Sequence, residues 1–251
     1  MLFLDIETSP MLAEVWGAYK TNVLDIVEDW YVLCYAYAED DGKVEVVVPS
    51  NVELWGGWNG EKTRVHRESG EAEILEHLWR LLDDAEIVVA HNGDRFDIRK
   101  INARFIKHGF PPPSPYLTID TLKSARKYFN FPRNRLGDLG IFLGLGGKDE
   151  TGGYSLWRGC MAGDVKSWKK LAKYNKRDID LLRDVYKTLR PWVQNHPHVG
   201  GEGCPKCGSM DRQRRGLRRM KSGINYRQFQ CTNCGGYYRE VQAAEAAAYR
   251  P

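Results

Sequence analysis

The spacing of apolar residues along the chain predicts an α/β fold. Short runs of β-forming residues predict strands, and apolar residues three and four positions apart predict helices. The predicted strands are residues 2–6, 31–37, 43–48, 87–90 and 117–119, and the predicted helices are residues 71–82, 96–107, 121–129, 135–143 and 164–189. This order predicts a sheet of mixed direction flanked by helices, with three antiparallel strands at its start.

Polar or mixed stretches separate these elements. Residues 10–29 are predicted to form a mixed connection, and residues 51–70 a polar loop. The long helix at 164–189 could instead be two helices that meet near Tyr174. The Ala-rich segment 240–248 predicts a short frayed helix at the C-terminus.

The composition is that of an ordinary globular protein, with 251 residues of which 42% are hydrophobic and 28% charged. No run of 18 or more apolar residues is present, so no transmembrane helix is expected. The first residues enter a strand that carries two acids, which is unlike a signal peptide. We therefore expect a cytoplasmic protein with no membrane partner.

Positive charge is concentrated near the C-terminus. Residues 200–251 contain ten Lys and Arg against four Asp and Glu, which leaves 27 against 29 in the rest of the chain. A near-neutral body with a basic end indicates a polyanionic partner that is bound mainly by that end.

Two carboxylates lie at the end of the first predicted strand, at Asp5 and Glu7. Side chains two positions apart point to the same face of a strand, so these two lie side by side. Like charges at that separation repel unless a cation lies between them, and Mg²⁺ and Mn²⁺ prefer oxygen ligands. On this pair alone, a solvated strand end is the alternative.

Two more acids stand at informative places. Asp97 lies where a turn enters a predicted helix, a position that a simple helix-capping residue could also occupy. Asp178 follows Tyr174 by four residues, so both share one helix face. Taken singly, Asp178 could be an exposed acid.

Together, these segments resemble the three exonuclease motifs of the DEDD superfamily in its tyrosine variant, DEDDy. The matching residues are Asp5-x-Glu7, Asn92-x-x-x-Phe96-Asp97 and Tyr174-x-x-x-Asp178. The histidine variant would have His where this chain has Lys173. The resemblance covers about residues 1–192 and implies a ribonuclease H-like fold whose four acids bind two divalent metal ions, Mg²⁺ or Mn²⁺. The layout also resembles standalone exonucleases of bacteriophages.

The resemblance also implies a role for each motif residue. Asp5 would bridge both metal ions. Glu7 and Asp178 would hold the ion on the nucleophile side, and Asp97 would serve the other ion. Tyr174 would orient the attacking water rather than take its proton, because an unperturbed phenol has a pKa near 10.

Three residues beside the motifs are candidates for binding the 3′-terminal nucleotide. Thr8 could offer its backbone N–H or its hydroxyl, and Asn92 and Phe96 could shape the pocket. The alternative for Phe96 is a simple core position.

Four of the six cysteines form two Cys-x-x-Cys pairs with 23 residues between them. The pairs are Cys204 with Cys207 and Cys231 with Cys234. Four thiolates complete a tetrahedral Zn²⁺ site, and so short a segment needs the metal to fold. We therefore predict one structural Zn²⁺ in a zinc ribbon. The predicted domains are an exonuclease domain at 1–194, a linker at 195–203, and the ribbon with its terminal helix at 204–251.

The motifs predict a metal-dependent 3′–5′ exonuclease, with single-stranded DNA as the expected substrate and a replication or repair protein as a possible partner. Two alternatives stay open: an RNA-trimming 3′–5′ exoribonuclease of the same fold, and a non-catalytic nucleic-acid-binding adaptor. Basic and aromatic residues of the ribbon suit nucleic-acid binding, although a protein partner would suit them too.

Overall fold

The computed structural model describes residues 1–55, 61–219 and 225–241. The strands are Leu2–Thr8 (β1), Leu12–Gly17 (β2), Lys20–Glu28 (β3), Val32–Glu39 (β4), Glu45–Val47 (β5), Ile87–Ala90 (β6), Leu117–Asp120 (β7), Arg212–Arg219 (β8), Asn225–Cys231 (β9) and Tyr237–Val241 (β10). The α-helices are Glu61–Asp84 (α1), Asp97–Lys107 (α2), Thr121–Tyr128 (α3), Leu136–Phe142 (α4), Tyr154–Met161 (α5) and Val165–Leu189 (α6), with short 3-10 helices at Val52–Leu54 and Arg190–Trp192.

The central sheet has five strands in the order β5-β4-β1-β6-β7. β1 pairs antiparallel with β4 and parallel with β6, and β6 pairs parallel with β7. The predicted α/β fold with a mixed sheet flanked by helices is therefore confirmed, as is the antiparallel start formed by β1, β4 and β5.

Alternation along β1 decides which side chains reach which helices. Leu4 and Ile6 are buried in a cluster with α1 and α2 residues, whereas Phe3 is buried with residues of α3, α4 and α6. Because successive strand side chains point to opposite faces, Asp5 and Glu7 share the Phe3 face. That is the face covered by α6.

Residues 12–28 differ from their prediction as a mixed connection, because β2 and β3 pair into a separate two-stranded sheet. Consecutive apolar residues such as Val23 and Leu24 are both about half exposed, so neither face of this hairpin is buried. The period-2 alternation that marks a half-buried strand is consequently missing from its sequence.

The helices differ from prediction in two places. α1 begins at Glu61, so residues 61–70 of the predicted loop are helical. This first part carries no apolar stripe, and its buried Arg67 is held instead by an ion pair with Glu28 at 2.6 Å. α5 was not predicted. The predicted helix at 164–189 is one continuous helix, α6, so the alternative of two helices is wrong.

The C-terminal part forms its own antiparallel sheet in the order β10-β9-β8. The predicted linker, 195–203, has no helix or strand, yet it is held at both ends. Tyr186 Oη lies 2.7 Å from His196 Nε2, and Val199 N–H donates to Pro205 O at 2.9 Å. The predicted terminal helix at 240–248 begins inside β10, and its remainder lies outside the described residues. In the described ranges, no helix combines the length and apolarity needed to cross a bilayer.

Candidate active site and cysteine centre

The acidic end of β1 is fixed against α6. Asp5 pairs with Ala36 of β4, and Glu7 pairs with Cys34. Asn175 Nδ2, on α6, donates to Asp5 Oδ2 at 2.6 Å and to the Asp5 carbonyl at 3.3 Å. Both the carboxylate and the backbone of Asp5 are therefore positioned by one amide.

One face of α6 supplies the next acid. Asp178 is 1% exposed, and its carboxylate oxygens lie near those of Asp5 and Glu7. One carboxylate oxygen from each of the three residues lies within 4.8 Å of those of the other two. Two segments about 170 residues apart in sequence therefore build a three-carboxylate cluster.

Asp97 joins this end of the sheet from a third element, as the first residue of α2. Its Oδ1 accepts a hydrogen bond from Ile6 N–H at 3.1 Å, and the residue is 3% exposed. Ile6 lies between Asp5 and Glu7 in β1, so this bond holds Asp97 next to the same two residues. The structure thus brings all four predicted acids together.

Burial, together with neighbouring carboxylates, raises the pKa values of these acids. Burial, followed by the charges of Asp97 and Glu7, raises the pKa of Asp5 well above its ordinary value. Burial and the Asp178 carboxylate raise the pKa of Glu7 to about 7, and burial raises that of Asp97 to about 6. Without a bound cation, this site holds more protons than exposed carboxylates would.

The donor set fits divalent metal ions. Its atoms are carboxylate oxygens, which hard cations such as Mg²⁺ and Mn²⁺ prefer. Asp178 Oδ1 is buried and has no hydrogen-bond partner in the described part of the chain, so a ligand position is available there. A cation among these oxygens would also offset the repulsion that raises their pKa values.

Lys148 supplies a positive charge at the edge of the cluster. Its Nζ lies 2.6 Å from Asp178 Oδ2 and donates to Tyr174 Oη at 3.1 Å. Burial by itself lowers the pKa of Lys148, but the charges of Asp178 and Asp5 outweigh it and raise the pKa above its ordinary value. Lys148 is therefore a fixed cation at neutral pH.

The Tyr174 hydroxyl lies beside the acids, and its ring packs edge-on against Trp157 with centroids 6.4 Å apart. Trp157 Nε1 in turn donates to Glu7 Oε2 at 3.3 Å. Burial and the Asp178 charge raise the pKa of Tyr174 to about 12. Tyr174 is consequently a neutral phenol that can donate or accept a hydrogen bond at physiological pH.

The three candidate nucleotide contacts have different surroundings. Thr8 Oγ1 accepts from Lys100 Nζ at 3.0 Å. Asn92 has a left-handed backbone, with φ of 68°, and its N–H donates to Asp120 Oδ1 at 3.0 Å. Phe96 is 39% exposed and has Lys100 Nζ 4.9 Å from its ring centre. The alternative of a core position for Phe96 is therefore wrong.

Sequence reasoning missed the contacts that Asn175, Trp157 and Lys148 make with the acids. Asn175 is next to Tyr174, but nothing in the sequence indicates that its amide reaches Asp5, 170 residues earlier. Trp157 lies in the unpredicted helix α5. Lys148 directly follows a glycine-rich run at residues 144–147, and this was the available local signal for it.

The four C-terminal cysteines also converge. Cys204 Sγ and Cys234 Sγ are 3.8 Å apart, Cys207 Sγ and Cys231 Sγ are 3.6 Å apart, and all four lie within 4.8 Å of one another. A tetrahedral ion with Zn–S bonds of about 2.3 Å places its sulfur atoms about 3.8 Å apart, whereas a disulfide needs about 2.05 Å. The thiols therefore fit one tetrahedral metal ion, and the four are free of disulfides.

The cysteine centre and the acidic centre lie at opposite ends of β1. Cys207 and Gly208 line a cavity of about 500 Å³ together with Met1 and Tyr186. Lys206 Nζ donates to Pro191 O at 2.7 Å and fixes the first cysteine turn to the end of the nuclease-like fold. From Met1 to Asp5 a strand extends about 13 Å. The two centres are therefore separate sites.

Comparisons with known proteins agree with the fold. Residues 54–190, over half of the chain, match the model of the RNase_H superfamily. This segment contains Asp97, Tyr174 and Asp178, whereas Asp5 and Glu7 precede it. A DNA polymerase III PolC-type of Ureaplasma parvum is 29% identical over 143 residues, which is 57% of this chain and 10% of the polymerase.

The chain is also similar to a solved structure, the family B DNA polymerase of Pyrobaculum calidifontis. Sequence identity is 14% and the TM-score is 0.48, over 76% of this chain and 25% of the polymerase. The chain thus spans a tenth to a quarter of the length of these two polymerases.

Proposed function

The chain belongs to the RNase_H superfamily, and on this premise we propose that it is a metal-dependent 3′–5′ exonuclease that hydrolyses phosphodiester bonds in DNA. The observation that carries this proposal is the convergence of four acids from β1, α2 and α6 at one end of the sheet. Tyr174 Oη lies at the same place, bonded to the lysine that pairs with Asp178. Holding four like-charged side chains close together is energetically unfavourable, and a non-catalytic adaptor would have no need for it.

The four acids would hold two divalent metal ions in this proposal. Asp5 would be a ligand shared by both, because the charges of Asp97, Glu7 and Asp178 all act on it. Glu7 and Asp178 would hold the ion that activates the attacking water, and Asp97 would serve the other. Two such ions activate a water molecule and stabilise the departing oxygen of a phosphodiester.

The neighbouring side chains position these groups. Asn175 keeps the Asp5 carboxylate in place, and the Trp157 indole fixes Glu7. Tyr174 orients the attacking water through its hydroxyl, and its raised pKa makes it a poor base. Lys148 neutralises Asp178 until substrate arrives and then offers its charge to the phosphate.

We further propose three parts for the chain: an exonuclease domain at 1–194, a short connection at 195–203, and a zinc ribbon from residue 204 onward. One Zn²⁺ held by the four cysteines stabilises the ribbon. β8 carries five arginines in eight residues, all exposed, and a strand of this charge suits a nucleic-acid backbone. In this proposal the ribbon adds affinity for the substrate from a position remote from the acids.

A similarity to polymerases supports DNA as the substrate and a replication or repair protein as a partner. The substrate in this proposal is single-stranded DNA with a free 3′ end. An exoribonuclease remains the rival enzyme, and none of the described contacts favours it.

The decisive experiment is a time course on single-stranded DNA and RNA labelled at the 3′ or 5′ end, with Mg²⁺, with Mn²⁺ and with neither. We expect metal-dependent release of nucleoside monophosphates from the 3′ end, and faster cleavage of DNA. Faster cleavage of RNA would favour the exoribonuclease. Absence of cleavage with either ion would favour the adaptor.

Truncation after Gly200 tests the proposed role of the ribbon. We expect kcat on a short oligonucleotide to stay within about twofold, while affinity and its salt dependence both fall. Unchanged affinity would mean that the ribbon serves another partner.

A further inference from the structure

A basic groove lies next to the acidic centre, between α3 and the start of α4. It encloses a cavity of about 660 Å³ and is lined by residues of five segments. Among these are His91, Arg126, Asn134, Arg135 and Lys148. None of the catalytic roles proposed above uses Arg126, Asn134 or Arg135.

The wall of the groove is held together by a half-buried histidine, His91. His91 Nδ1 lies 2.9 Å from Thr121 Oγ1, and Nε2 lies 3.0 Å from Asn134 O. Burial lowers the pKa of His91 to about 4, so the ring is neutral at physiological pH and ties α3 to the loop before α4. These hydrogen bonds therefore hold the backbone at Asn134 and Arg135 in place.

The groove presents cations that the rest of the fold does not use. Arg126 and Arg135 are exposed and make no ion pair with any described residue. Asp138 is the acid that lines the same groove. Asn134 Oδ1 is buried without a hydrogen-bond partner in the described ranges, so a polar group remains unsatisfied at this wall. The surface has an excess of positive charge available to a ligand.

The groove is continuous with the acidic centre through Lys148. This residue lines the groove and also contacts Asp178 at 2.6 Å. A Cβ at Gly137, in the first turn of α4, would lie 3.2 Å from Lys148 Cγ. Because Gly137 has no side chain, the Lys148 side chain has room to lie between the groove and the acids.

On the other side of the acids, Lys100 is already engaged. It donates to Thr8, and its Nζ lies 3.9 Å from the centre of the Trp30 ring and 4.9 Å from that of Phe96. This lysine is held by its neighbours and by two aromatic rings.

We propose that this groove binds the sugar–phosphate backbone of the nucleic-acid strand that leads away from the bond being cut. Arg135 contacts the phosphate of the second linkage from the 3′ end and Arg126 that of the third, and the side-chain NH2 of Asn134 donates to a phosphate oxygen between them. The terminal nucleotide lies on the opposite side, at Phe96 and Thr8. This inference rests on the proposed exonuclease function and adds the path of its substrate.

The first test measures binding of 5′-fluorescein oligodeoxythymidylates of two and eight nucleotides to the full chain. All binding measurements use the Asp5→Asn variant, in which cleavage is blocked. No chelator is therefore needed, and the cysteine site keeps its metal. In this background, Arg126→Ala with Arg135→Ala should weaken binding of the octamer about tenfold and reduce its salt slope by about one to two. Dinucleotide binding should stay within about twofold. Arg80→Ala, an exposed α1 arginine that pairs with Glu76, is the control and should change neither.

The second test locates the contact. A neutral methylphosphonate replaces one phosphate of the octamer, either at the second linkage from the 3′ end or at the linkage nearest the 5′ end. If Arg135 binds the second phosphate, its substitution and the neutral linkage there should be non-additive, whereas the 5′ linkage should add independently.

Equal losses for both lengths, no loss for the octamer, or full additivity at every linkage would each overturn the groove assignment. Failure of the exonuclease proposal appears differently, as absence of metal-dependent cleavage by the unaltered chain. A melting temperature of the double variant within about 2 °C of the unaltered chain shows that the fold is intact.

Discussion

The acidic centre and the cysteine centre each gather four candidate metal ligands, yet they are built in opposite ways. The acids come from segments up to 173 residues apart in sequence, on β1, α2 and α6, and a large apolar core holds them together. The cysteines come as two local pairs, in a region whose buried apolar residues are few. In the first site the fold positions the ligands, and in the second the ligands, once bound to metal, hold the fold.

Because of this difference, loss of the bound metal should have different consequences at the two centres. A core that positions carboxylates should remain folded without the ion, with the pKa values of Asp5 and Glu7 raised by burial and by repulsion between the acids. A small sheet with little core loses the free energy that metal binding contributes to folding. Activity should thus depend on the first metal site and stability of the ribbon on the second.

The largest expected effect is that of Asp5→Asn. Losing the central carboxylate should lower the cleavage rate by at least about a thousandfold, because metal-assisted charge stabilisation accounts for several kcal/mol of the barrier. The melting temperature should stay the same or rise, since one of four mutually repelling charges is removed. Rates come from a labelled-oligonucleotide assay and stability from thermal unfolding. Asp184→Asn, on the exposed side of α6, is the control, and a near-normal rate for Asp5→Asn would rule out the proposed metal site.

Cys231→Ser should affect the other centre alone. We expect zinc content to fall from about one ion per chain to nearly none, and β8 to β10 to lose protection from hydrogen exchange. Cleavage of a short oligonucleotide should stay within about twofold. Cys160→Ala, which removes a buried thiol of the core, should leave the zinc content unchanged. Loss of the central sheet together with the ribbon would show that the two centres are not independent.

Tyr174→Phe should have a smaller effect on catalysis. Removing the hydroxyl should lower kcat by about tenfold to a hundredfold with little change in KM, because the group positions the attacking water rather than binding substrate. Tyr186→Phe, on the same helix but bonded to His196, should not change kcat. A change in KM alone would assign Tyr174 to substrate binding.

The smallest effect concerns pH. The folded pKa of Glu7 is raised from 4.5 to about 7, so without metal the unfolding free energy should decrease as pH rises from about 4.5 to 7.

Metal must displace these protons, so Mg²⁺ affinity should increase over pH 6–8, by at most about tenfold per pH unit for each proton displaced. Isothermal titration calorimetry in buffers of different ionisation enthalpy measures both affinity and proton release. Affinity that is flat over this range would contradict the raised pKa, and Glu7→Gln should flatten it.

Local patterns predicted much of this molecule. The Asp5-x-Glu7 spacing placed two carboxylates on one face because strand side chains have a period of two, and the structure has them on the α6 face. The two Cys-x-x-Cys pairs predicted four converging thiols, which lie within 4.8 Å of one another. The β2–β3 hairpin escaped prediction because both of its faces are exposed, so no alternation marks it.

Short-range periodicity predicted the five strands of the central sheet and five of the six α-helices of the described chain, and motifs predicted the four acids and the four cysteines. Tertiary structure alone decided which distant groups surround those acids. Asn175 reaches Asp5, Lys148 reaches Asp178, and His91 fixes the groove wall because the sheet order and helix packing bring these segments together. Contacts of this kind depend on three-dimensional distance, which local spacing does not encode.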